Sequence, residues 1–248
     1  MERNNSFNLS TWFFFLLVLI AAPSRVEADL IVQVGAFSKA VEGGSLPQGW
    51  KPLTFPKILR HTRYETIKEE STTVVQATSE KAASGLVHEV KVDLKKYPIL
   101  KWRWKVLNVI EKGNVRTKQG DDYAARIYIT FEYNPDHVSV RKKIKYKAGR
   151  LLFGDIPIAA INYIWDGKAA IGTIVDNAYT DFVKMIVVES GSQFVGQFRS
   201  EERNIYEDYK KSFGEEPPMV NGVAIMTDTD NTGEKATAYY GDIVFMAQ

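Results

Sequence analysis

Apolar and polar residues alternate with period two along eight stretches of this chain, and that pattern restricts the fold more than any other feature. Thr72–Thr78, Leu86–Leu94, Leu100–Leu107, Tyr123–Tyr133, Ile158–Trp165, Phe182–Glu189, Gly222–Thr227 and Ala236–Met246 are rich in Val, Ile, Tyr, Phe, Trp and Thr. Branched and aromatic side chains of this kind suit a pleated, half-buried surface. Turn formers such as Lys112-Gly113-Asn114 and Asp176-Asn177 separate several of the stretches,. With no internal repeat, this predicts a mostly β chain folded as an antiparallel, jelly-roll-like β-sandwich.

Two stretches break the alternation and predict one or two short helices. Ser200-Glu201-Glu202 reads as an N-cap followed by acids matched to the helix dipole; Ile205, Tyr209 and Phe213 follow at intervals of four, and Gly214 with Pro217-Pro218 stops the run,. Within Val140–Phe153, Val140, Ile144, Ala148 and Leu151 share helical spacing,.

The first residues read as an export signal: a polar start with Arg3, an apolar run Trp12–Ala22, then Val26-Glu27-Ala28 with small residues at the −3 and −1 positions,. Cleavage is expected after Ala28, leaving residues 29–248 as one β-sandwich domain, periplasmic or secreted. The apolar run falls short of the ~20 residues a spanning helix needs. The chain has no Cys, which excludes thiol catalysis, Cys-ligated zinc and a lipid-modified cysteine. A domain of this size needs no disulfides to hold its core. The formal net charge of +2 gives no reason to expect nucleic acid as a partner.

Alternation also sorts side chains by face. Tyr123, Ala125, Ile127, Ile129 and Phe131 are expected to face a core, and Asp122, Arg126 and Tyr128 the other side,. Leu100, Trp102, Trp104 and Val106 form an apolar row backed by Lys101, Arg103 and Lys105. If these strands are neighbours, Arg103, Asp122, Arg126 and Tyr128 make one patch on a sheet face. Arg offers a planar fork and Tyr a stacking surface, which suits a sugar or carboxylate ligand; a solvated, ion-paired face is the simpler alternative.

The most distinctive string is Met226-Thr227-Asp228-Thr229-Asp230-Asn231-Thr232-Gly233. Its Asp residues at alternate positions resemble a calcium loop, but the oxygen ligand expected at the fifth position is Thr232 and the closing Glu is replaced by Tyr239, so a full EF-hand is excluded. A partial Ca2+ site from Asp228 and Asp230, completed by Asp242, is the metal reading. The backbone reading is a hairpin whose Asp and Asn side chains cap their own turn and whose Gly233 takes a positive φ. An aspartyl phosphotransferase strand is excluded because too little chain follows to supply its other catalytic groups.

Other signatures are missing: His61, His88 and His137 have no metal-ligand spacing, and no nucleophile elbow, P-loop or dinucleotide fingerprint occurs,. The basic run Arg141-Lys142-Lys143, Lys145, Lys147 and Arg150 reads as a solvated face or an anion-binding one.

Gly49-Trp50, Ala83-Ser84-Gly85-Leu86, Trp102-Arg103-Trp104-Lys105, Gly120-Asp121-Asp122-Tyr123-Ala124-Ala125-Arg126, Asn162-Tyr163-Ile164-Trp165, Glu202-Arg203-Asn204 with Glu207-Asp208-Tyr209, Met226–Thr232 and Tyr240-Gly241-Asp242-Ile243 follow one another in order. Together they resemble the exported bacterial family known as domain of unknown function 3047, which implies no activity. The closing Gly-Asp-Ile is also similar to galactose-binding and carbohydrate-binding jelly rolls, an analogy of fold alone. The expectation is therefore a non-catalytic binder of a glycan or small polar ligand in the cell envelope. Its contacts would come from Arg103, Asp122, Arg126, Tyr128, Asn162, Trp165, Arg203 and Asp208. The alternative is a polysaccharide hydrolase using the surface carboxylates Asp122, Asp208 or Asp228.

Overall fold

In the computed structural model, which describes Met1 and residues 30–44, 46–132 and 159–248, each of the eight alternating stretches contains a strand. Thirteen strands form among the described residues. In chain order they are β1 (Ile31–Gly35), β2 (Trp50–Leu53), β3 (Arg63–Glu69), β4 (Thr72–Glu80), β5 (Ala83–Val92), β6 (Ile99–Val106), β7 (Ala125–Phe131), β8 (Ala160–Asp166), β9 (Ile174–Asn177), β10 (Thr180–Ser190), β11 (Arg199–Asn204), β12 (Val220–Asp228) and β13 (Lys235–Met246). The export signal, the Val140–Phe153 segment and the basic run within it lie outside the described residues. No helix among the described residues is long and apolar enough to cross a membrane.

The strands make a sandwich of two sheets. The first runs β11-β6-β13-β4-β3, with β1 pairing β13 beyond the end of β4; the second runs β2-β5-β12-β7-β8-β10-β9. Among the described residues all pairings are antiparallel except β8 with β10, where the chain returns through β9 to lie parallel to β8. The chain changes sheets between β4 and β5, β5 and β6, and β6 and β7, so the apolar row of each strand closes on a row from the other sheet. Trp102 and Trp104 of β6 meet Tyr163 and Trp165 of β8 across this space, with ring centroids 5.2 Å (Trp102–Tyr163) and 6.2 Å (Trp104–Trp165) apart. The Tyr240 hydroxyl also crosses, donating to the Met226 carbonyl at 2.6 Å.

Two expectations need correction. Asn204, not Ser200, caps the helix: its side chain accepts from the Glu207 amide at 3.1 Å, and the helix α1 spans Ile205–Phe213. Ser200-Glu201-Glu202 belongs to β11, an edge strand whose charged residues hide its period, while Gly214 stops the helix at φ 73° as expected. The second correction concerns the charged face of β7. Every residue of β8 is buried, as are most of β7 and β12, so the centre of the second sheet is covered on both faces. A smaller apolar cluster containing Ile164, Met185 and Val187 lies on the face turned away from the main core.

Candidate functional site

Ala125, Ile127, Ile129 and Phe131 of β7 join the main core, which turns Arg126 and Tyr128 to the opposite face. By the same alternation Asn162 and Asp166 of β8, and Asp228 at the end of β12, share that face,. The register supports this, pairing Tyr128 with Asn162 and Arg126 with Met226. The segment entering β7 brings Asp121, Asp122 and Tyr123, and the β9–β10 hairpin brings Asn177.

Arg126 is the centre. Its Nη2 is ion-paired with Asp228 and donates to the Asp121 carbonyl at 3.4 Å, while its Nη1 lies 3.7 Å from the Asp121 carboxylate. The guanidinium carbon sits 4.9 Å from the Tyr123 ring centre and 5.7 Å from that of Tyr128, a distance at which the ring faces attract a cation. Both carboxylate oxygens of Asp121 also accept from Asn177 Nδ2, at 3.0 and 3.2 Å. Asp122 accepts from the Asn231 amide and side chain and, at 2.6 Å, from the Thr232 amide, and Asp228 accepts from the Tyr123 amide at 3.2 Å. Asp122, Asp228 and Asp230 each present an oxygen within 4.8 Å of the others.

Burial raises the pKa of Asp121, against the pull of Arg126, and raises that of Asp230, with repulsion from Asp122 adding to it. Burial alone would lower the Arg126 pKa, but Tyr128, Asp121, Tyr123 and Asp122 outweigh it and raise it. The guanidinium stays charged.

Five buried polar atoms on this side of the sheet have no hydrogen-bond partner: Arg126 Nε and Nη1, Tyr123 Oη, Asn162 Oδ1 and Asp166 Oδ2. Four other such atoms among the described residues are scattered, on Trp50, His88, Trp102 and Ser212. Buried polar groups are nearly always satisfied, so their concentration here marks the face.

Asp122, Arg126, Tyr128 and Asn162 are brought together as expected, but the rest disperse. Arg103 projects from β6 on the outside of the first sheet, stacked 4.7 Å from Phe198, because β6 and β7 belong to different sheets. Trp165 is a core residue whose indole donates to the Gly191 carbonyl at 3.1 Å. Arg203 holds Asp208 through two bonds, at 2.9 and 2.6 Å, and Asp208 also accepts from Tyr163 at 2.6 Å; this trio closes one edge of the sandwich. Asp242 is remote from Asp228 and Asp230, binding the amide and hydroxyl of Ser38 at 2.7 and 2.6 Å. Asp122, Asp208 and Asp228 are buried rather than surface carboxylates.

Alternation places Tyr123 with the core row of Ala125, Ile127 and Ile129, but it precedes the first residue of β7 and turns instead to the face of Arg126. Sequence reasoning missed Asn177 and Asn231, which reach Asp121 and Asp122 across 56 and 109 residues of chain and leave no local signal. A further omission is the pair Glu189 and Glu201 between the sheet edges. Arg199 binds Glu189 at 2.6 Å and Trp104 donates to Glu201 at 3.3 Å; burial, then the Glu189 carboxylate, push Glu201 up to about 7.

Residues 48–244 match the family model described as "Protein of unknown function (DUF3047)". No curated protein matches the sequence. Among solved structures, the chain is similar to the Spr0440 glycoside hydrolase domain, Endo-D, from Streptococcus pneumoniae R6, at 10% identity and TM-score 0.33, over 79% of this chain and 21% of that one. The chain thus spans about a fifth of that relative. It is also similar to the Emp47p carbohydrate recognition domain, at 11% identity and TM-score 0.44 over 89% and 98% of the two chains. A family 12 xyloglucanase from Bacillus licheniformis gives 12% identity and TM-score 0.40 over 83% and 89%.

Proposed function

The chain belongs to the DUF3047 family, described as of unknown function, and from its own site we propose that it binds a hydroxyl-rich ligand, a sugar unit of an envelope glycan, without transforming it. The observation that carries this is the set of buried atoms without a hydrogen-bond partner on the face of the sheet that carries Arg126. Two are donors on Arg126, two are acceptors on Asn162 and Asp166, and Tyr123 Oη is both,. A phosphate or carboxylate satisfies only the donors, whereas neighbouring hydroxyls satisfy both kinds. Tyr128, Asn177 and Asp230 are half-buried and form the solvent side of the site.

Binding without cleavage follows from the carboxylates. Glycoside hydrolysis uses one carboxyl group as acid and another as base or nucleophile across a cleft. Asp122, Asp208 and Asp228 are each held by at least two donors, which fixes them as acceptors. The export reading of residues 1–28 sets this role in the periplasm or outside the cell, away from nucleic acid.

The experiment is incubation of the purified protein with a panel of envelope and plant polysaccharides, followed for both retention and new reducing ends. Retention without new ends, weakened about tenfold in Asn162→Ala, is the expected result, since a lost buried hydrogen bond to ligand is worth about 1.4 kcal/mol. New reducing ends would overturn the non-catalytic reading, and retention of no glycan would overturn the binding one.

A further inference from the structure

We propose that Asp122, Asp228 and Asp230 hold a hard divalent cation, of the calcium kind, beside Arg126. The three acids come from two separate parts of the chain, Asp122 ahead of β7 and the others at the end of β12, yet an oxygen of each lies within 4.8 Å of the other two. A carboxylate offers about four acceptor directions. Three donors engage Asp122 and two engage Asp228, so each keeps at least one acceptor direction to spare and is held still. Asp230, half-buried, supplies the third ligand.

A second observation, the unmet hydrogen-bonding capacity of Arg126, points the same way. Arg126 touches the cluster through Asp228, is 3% exposed, and leaves Nε without a hydrogen-bond acceptor and Nη1 with only a 3.7 Å approach to the Asp121 carboxylate. A bound cation brings further oxygens with it, as water or as ligand hydroxyls, since calcium takes six to eight. Those oxygens are the acceptors that the buried guanidinium lacks. Charge agrees, because one guanidinium faces four carboxylates when Asp121 is included, and the surplus is negative. Calcium suits the site better than magnesium, which demands near-octahedral geometry.

The inference stands without the glycan reading, and its test uses no glycan. Full-length protein is stripped with chelator, dialysed and titrated with calcium chloride by calorimetry, then melted with and without the ion. Saturable binding is expected, with the melting point rising by about 5–10 °C at a hundredfold excess over Kd. Asp230→Asn, at the half-buried member of the cluster, should weaken binding at least tenfold; Asp242→Asn, at the remote carboxylate, should leave it unchanged. Absence of both heat and melting shift with calcium overturns the proposal, as does an Asp230→Asn protein that binds like its parent. A loss of binding in Asp242→Asn alone would move the site and equally overturn it.

Discussion

Arg126 on β7 and Asp228 on β12 meet as a closed ion pair, with side chains 3% and 2% exposed. Removing one partner of such a pair leaves the other charged and buried, which costs about 3–5 kcal/mol. Asp228→Asn should therefore lower the unfolding free energy by about that amount in urea, with the slope unchanged. Arg126→Lys should be nearly as damaging, because an ammonium cannot span Asp228 and Asp121 as the planar guanidinium does. A loss below ~1 kcal/mol in Asp228→Asn would mean that water reaches the pair.

The sandwich was legible because alternation is local: Leu100, Trp102, Trp104 and Val106 report their shared face within eight residues. Sheet partnership is not local. Nothing in the sequence near Arg103 or Arg126 says that one strand lies in each sheet, and the patch built from both did not survive. Burial of the polar face was equally hidden. Asp122 and Arg126 look solvent-facing by type, and only the donors at Asn231 and Thr232 for Asp122, and the acceptors at Asp228 and Asp121 for Arg126, make their burial affordable. Strand β11 was hidden for the opposite reason: its residues Arg199–Asn204 carry the charges of a helix start.

Asp208 links α1 to both sheets, through Tyr163 on β8 and Arg203 on β11. Asp208→Ala should cost about 2–3 kcal/mol, the range for losing a charged hydrogen-bonded group that is partly screened. Its glycan retention should match the parent's, because Asp208 lies away from Arg126. Urea unfolding and the retention assay together check this: lost retention at intact stability would return Asp208 to the binding site.

Two glycines give contrasting predictions. A Cβ on Gly85 would come within 2.8 Å of the Ile225 carbonyl oxygen, a backbone atom fixed by the pairing of β5 with β12. A Cβ on Gly241 would instead meet the Arg103 side chain at 2.4 Å, on an outer face where that chain can swing aside. Gly85→Ala should then destabilise by about 1–3 kcal/mol, as overpacking does, and Gly241→Ala by less. Equal losses in parallel melts would show Arg103 to be as immovable as backbone.

Glu201 predicts how stability changes with pH. Burial, then the Glu189 carboxylate, raise its pKa from 4.5 to about 7, while the Trp104 indole and Arg199 pull it down. The folded protein therefore holds a proton on Glu201 more tightly than the unfolded chain does. Stability from this group is complete below pH 4.5 and is lost as the pH rises through about 7,. Glu201→Gln keeps a neutral side chain and has nothing to lose. Relative to Glu201→Gln, the parent should weaken steadily between pH 4.5 and 7 and then level off, read as urea midpoints at half-unit steps. A difference that stays flat across that window would mean the carboxyl pair between β10 and β11 is open to water and shares no proton.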